Sequence, residues 1–193
     1  MTSKGSPERM IEPPAGFRIN RTLPLGRHPI TEAFPGIEST ETARRHLPDA
    51  KERARLYAET QVQIVPEDLW MYVAPYSLPK GMRRRWSPVV VPGADCIVIG
   101  ESHLRESPAL IVFLDIFHEL CHVLQRRAGR ELFDRKESYV RRPTEIEAYQ
   151  FAVAEARRLG VTDETLREYL KVEWVTEAEI EELYKTLGVA PSP

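Results

Sequence analysis

The chain has 193 residues, enough to bury a core within one catalytic domain but short for two full domains. A formal net charge of −2 selects neither nucleic acid, nor an anionic membrane, nor a strongly charged substrate. No apolar segment follows the basic residues of MTSKGSPERMIEPPAG, and the longest apolar run, residues 109–117, is too short to span a bilayer and contains Asp115. The expectation is a cytoplasmic protein with no membrane partner and with Cys96 and Cys121 reduced, since two cysteines are too few for a disulfide framework.

Residues 1–36 carry Pro13, Pro14, Pro24, Pro29 and Pro35 without sustained periodicity and read as an irregular leader. From 39 to 60 the pattern is helical but split by Pro48, with Asp49 as a cap for the stronger half. Short stretches rich in β-branched and aromatic residues follow at 62–65, 69–73, 88–91 and 96–100, predicting a small sheet. Residues 107–127 predict a mostly buried helix that Gly129 stops. After a polar stretch, PTEIEAYQFAVAEARRLG predicts a helix with Pro143 near its start and Gly160 past its end. Two short helices are expected at 163–172 and 177–187, the second opened by a Thr176/Glu179 capping box and ended by Gly188.

The chemistry lies in HELCH. His118 and His122 are four residues apart, so on a helix both imidazoles leave one face and can hold a single zinc ion. Glu119 sits beside them as a general base for a water that zinc acidifies. Ile116, Phe117, Leu120, Cys121, Val123 and Leu124 around the motif are uncharged, which places these polar groups in a buried helix where leaving them without a purpose is costly.

A catalytic zinc needs a third protein ligand. No His or Cys follows His122, and the glycine and third-histidine positions of a metzincin continuation are Gln125 and Ala128. A downstream ligand is therefore a carboxylate, from Glu145 or Glu147. Glu145 shares a helix face with Ala148, Ala152 and Ala156, small residues that let two helices approach closely, and is favoured. Glu147 points with Gln150, Phe151 and Ala154 and has a second explanation as capping-box partner of Thr144; it remains the alternative.

HELCH followed by EIEAYQFA resembles the gluzincin arrangement, and most closely the ImmA/IrrE family of bacterial metallopeptidases, whose pattern runs HELGH and then E-x-E-A-N-x-F-A. The similarity spans residues 60–160. It implies a compact zincin-like α+β domain, one zinc ion and regulatory proteolysis, often of a DNA-bound repressor. Carried onto this sequence, it makes His118, His122 and Glu145 the ligands and Glu119 the base. Cys121 departs from the family glycine, and Tyr149 from the Asn or Asp that commonly supports the metal site.

The chain thus divides into a leader (1–36), a zincin-like domain (37–160) and a C-terminal helical extension (161–193). Cys121 is expected as a small buried hydrophobe. Tyr139 and Tyr149 are candidate hydroxyl donors to a developing oxyanion, beside their reading as packing residues. The strand DCIVIG reads either as a substrate-pairing edge or as an ordinary core strand. His103 is expected to face solvent in a loop, with an approach to the site as its alternative. The function expected is a zinc endopeptidase acting on a protein or peptide partner, with a non-catalytic zinc-binding regulator as the alternative. RRRW at 83–86, with Arg141 and Arg142, is read as a solvated turn rather than a nucleic-acid surface.

Overall fold

The computed structural model describes residues 18–35, 69–75, 89–90, 96–132, 134, 136–172 and 175–191. In chain order these form β1 (Gly26–Pro29), α1 (Ile30–Ala33), β2 (Trp70–Ala74), β3 (Val89–Val90), β4 (Cys96–Gly100), α2 (Glu101–Glu106), α3 (Ala109–Arg127), a 3-10 turn (Tyr139–Arg141), α4 (Pro143–Arg158), α5 (Asp163–Leu170) and α6 (Glu177–Leu187). The architecture is α+β, as expected. The helical stretch expected at 39–60 and the strand at 62–65 lie outside the described residues. Among the described residues no helix is long and apolar enough to cross a membrane.

The sheet order is β1-β2-β4-β3, with β2 and β4 parallel and both outer pairs antiparallel. Alternation sets its faces: Met71 and Val73 of β2 and Ile97 and Ile99 of β4 are fully buried, while Tyr72 is exposed. The buried face packs on Val112, Ile116, Leu120 and Val123 of α3. Burial of each such side chain contributes about 1.5–3 kcal/mol. β4 lies between β2 and β3, so DCIVIG is an interior strand; the edge nearest α3 is the two-residue β3.

Two expectations are corrected here. Residues 26–33 are not irregular: β1 pairs with β2 from Gly26↔Val73 to Pro29↔Trp70, and Leu23, Ile30, Ala33 and Phe34 enter the sheet-side core. GRHP has little strand propensity of its own, so its conformation comes from the partner's ladder. His103 is not a loop residue but a buried member of α2. Pro108 separates α2 from α3 and holds Ser107 extended at ψ 148°, as a residue before proline prefers.

α3 is buried almost throughout and divides two cores. Its Leu110, Phe113, Leu114 and Phe117 join Tyr149 and Val153 of α4, Leu166 and Leu170 of α5, and Ile180, Leu183 and Leu187 of α6. α4 lies close against α3, and Ala148, Ala152 and Ala156 are each 0 % exposed, the small-residue face expected of it. α6 carries the complete Thr176/Glu179 capping box, and Gly188 closes it at φ +64°, a left-handed conformation suited to glycine.

Candidate metal centre

One turn of α3 presents His118 and His122, and the first turn of α4 brings Glu145 to them. The two Nε2 atoms stand 3.0 Å apart, and Glu145 Oε2 lies 3.4 Å from His118 Nε2 and 3.3 Å from His122 Nε2. Three donors on a tetrahedral zinc with bonds of ~2.0–2.1 Å stand about 3.3 Å apart, so this triangle fits the ion. Glu145 Oε2 is buried and has no hydrogen-bond partner among the described residues, although two ring nitrogens are near it. A carboxylate oxygen only accepts, so it can take a cation or an imidazole N–H.

Glu119 completes the cluster. Its carboxylate is 3.9 Å from His118 Nε2, and the donor atoms of His118, Glu119 and His122 all lie within 4.8 Å of one another. This buried cluster can hold a metal ion. Glu145 Oε2 is nearer to His118 Nε2 than the Glu119 carboxylate is and also lies 3.3 Å from His122 Nε2.

Electrostatics follow from burial and proximity. Burial would raise the Glu145 carboxyl, but the two imidazoles override it and hold it at about 2. Burial, with repulsion from His122, holds His118 below the ordinary imidazole value despite Glu145. At His122 burial also lowers the pKa, but Glu145, Glu119 and Gln125 together raise it.

Glu147 does not join the triangle. Its Oε2 accepts from Gln125 Nε2 at 2.8 Å and pairs with Arg130, while Gln125 Nε2 also donates to Thr144 O at 3.0 Å and Gln125 Oε1 meets His122 Nδ1 at 2.8 Å. The Thr144 capping box is absent too: Arg142 is the N-cap residue, and Thr144 lies inside the helix, buried. His118 has no such support, its Nδ1 being buried without a hydrogen-bond partner among the described residues.

Tyr149 packs its ring 4.4 Å from that of His118, and its hydroxyl lies 2.9 Å from that of Tyr139. Burial raises both phenols, so both stay protonated donors at neutral pH. Cys121 is buried, and burial pushes its thiol up, in keeping with an inert hydrophobe. On the motif helix Asp115 Oδ2 meets His103 Nε2 at 2.7 Å, and His103 Nδ1 meets Ser107 Oγ at 2.8 Å.

Sequence reasoning missed Gln125 and the pairing of Asp115 with His103. Gln125 had a signal, standing three residues after His122 and so on the same helix face; the Asp115 contact depends on how α2 packs on α3. RRRW lies outside the described residues, and Arg141 forms a two-pronged pair with Glu182 at 2.9 Å on each arm. Comparison with known proteins finds no matching family model, no matching curated protein and no matching solved structure.

Proposed function

We propose that this chain is a zinc-dependent metallopeptidase of the ImmA/IrrE type, built on a zincin-like domain and cleaving a protein or peptide partner in the cytoplasm. The observation that carries the reading is the triangle of His118, His122 and Glu145, with edges of 3.0, 3.3 and 3.4 Å, flanked by the Glu119 carboxylate. His118, His122 and Glu145 hold the ion. When bound, zinc supplies a Lewis acid that polarises the scissile carbonyl and acidifies water. Glu119 takes the proton of the attacking water and returns it to the leaving amine. Tyr149, kept protonated by burial, packs on the His118 ring and, through its bond to Tyr139, forms a hydroxyl pair with one hydrogen free to donate to developing negative charge.

A second reading, a zinc-binding regulator without catalysis, has one observation in its favour: His118, Glu119, His122 and Glu145 are each only 6 % exposed, a closed setting for a site that must admit substrate. Glu119→Gln separates the two. The variant is expected to bind one zinc per chain as the parent does and to lose at least ~100-fold in peptide hydrolysis, the scale of a general base. No hydrolysis by the zinc-loaded parent across a peptide library removes the peptidase reading and leaves the regulator, whereas hydrolysis undiminished by the substitution removes Glu119 as its base.

A further inference from the structure

We propose that Gln125 is a positioning residue for His122, and that Glu147, the second acid of EIEAYQFA, acts through Gln125 rather than on the ion. The inference rests on the zinc-site reading and adds two side chains that act one step away from the ion.

The bond directions determine the arrangement. An amide nitrogen only donates, and Gln125 Nε2 faces two groups that only accept, Thr144 O at 3.0 Å and Glu147 Oε2 at 2.8 Å. Both amide hydrogens are thereby committed, so Oε1 is the atom turned towards the ring. Oε1 only accepts, so His122 Nδ1, 2.8 Å away, carries a hydrogen and donates it. With that hydrogen placed on Nδ1, the Nε2 lone pair is the one available to a metal, and it faces His118 Nε2 and Glu145 Oε2. Thr144 and Glu147 flank Glu145 on α4, so one amide ties the ring of the second histidine to the same turn that delivers the carboxylate.

Other roles account for less of the geometry. Glu147 is half-exposed and pairs with Arg130 at the surface, which by itself contributes little. A surface pair would not need Gln125, whose side chain is buried at 4 % exposure and spends both donors and its acceptor on this connection. His118 shows the contrast: the Tyr149 ring packs against it at a 57° tilt, and its Nδ1 has no hydrogen-bond partner among the described residues. Support for the ring tautomer is therefore concentrated on His122.

The test measures zinc affinity by competition with a chromophoric chelator, together with the visible spectrum of the cobalt-substituted protein. Gln125→Ala is expected to weaken zinc binding by about 10–100-fold, the usual cost of removing such a partner, and to alter the cobalt spectrum. Glu147→Ala, on a half-exposed side chain that does not threaten folding, is expected to lose less in the same direction. Gln125→Glu keeps an acceptor for His122 but sets two carboxylates together, so it should weaken binding. Adding Glu147→Gln supplies an amide donor and should recover part of the loss, a coupling that a purely structural role would not produce. Parent-like affinity and spectra in both alanine variants, or no recovery in the double variant, overturn the inference and leave the zinc reading standing. A parent chain that takes up no zinc overturns both.

Discussion

Glu145 sits between two imidazoles whose pKa values move in opposite directions, and this sets how the zinc-free protein responds to pH. Glu145 is lowered from 4.5 to about 2, so its contribution to stability is present above 4.5 and lost as pH falls towards 2. His122 is raised from 6.5, so its contribution is present below 6.5 and lost as pH rises through its higher folded value. These two groups together stabilise the zinc-free chain most between pH 4.5 and 6.5, while His118, lowered from 6.5, offsets part of that as pH falls below 6.5. Zinc held there would reverse the upper limb, because a ligating ring is neutral and its proton is displaced. We expect calorimetry in buffers of different ionisation enthalpy to show proton release on zinc uptake near neutral pH. Apparent affinity should fall by about tenfold for each pH unit below the His122 value. Binding that releases no proton would mean His122 is neutral before zinc arrives and would contradict the raised pKa.

At the scale of elements, α6 offers a clean test of local coding. The Thr176 hydroxyl accepts from Glu179 N at 3.3 Å, and the Glu179 carboxylate accepts from Thr176 N at 3.0 Å. Thr176→Ala should cost about 1 kcal/mol, read as a lower urea midpoint with an unchanged slope, and should leave zinc affinity alone. This box was legible in the sequence because its signal is contained within four residues. β4, with its alternating isoleucines, and α4, between Pro143 and Gly160, were legible for the same reason. The HELCH pair and the alanine face of Glu145 could also be read, since helix periodicity alone brings them to one side. What could not be read was set by partners far along the chain. β1 borrows its conformation from β2, His103 is buried because α2 packs beneath Asp115, and Glu147 turns to Gln125 across 22 residues. Each has a plausible local reading, as leader, loop residue or cap, which tertiary contacts override.

For the molecule as a whole, α3 matters more as a shared wall than as a carrier of the motif. One of its faces closes the core beneath the sheet and another closes the core formed with α4, α5 and α6. A zinc ion held by α3 and α4 would join the wall to the helical side, and a wall common to both cores cannot unfold from one without exposing the other. We therefore expect a single cooperative urea transition. Trp70 of β2 reports the sheet side once Trp86 and Trp174, the other two of three tryptophans, are replaced by Phe. Far-UV circular dichroism, to which α3 and α4 contribute most among the described residues, reports the helical side. Zinc at a thousandfold excess over its dissociation constant should add about 4 kcal/mol to both probes equally, since it binds only the folded chain. A Trp70 transition that stays in place while the dichroism transition moves would show the cores unfolding separately, with α3 released from the sheet while still holding the ion.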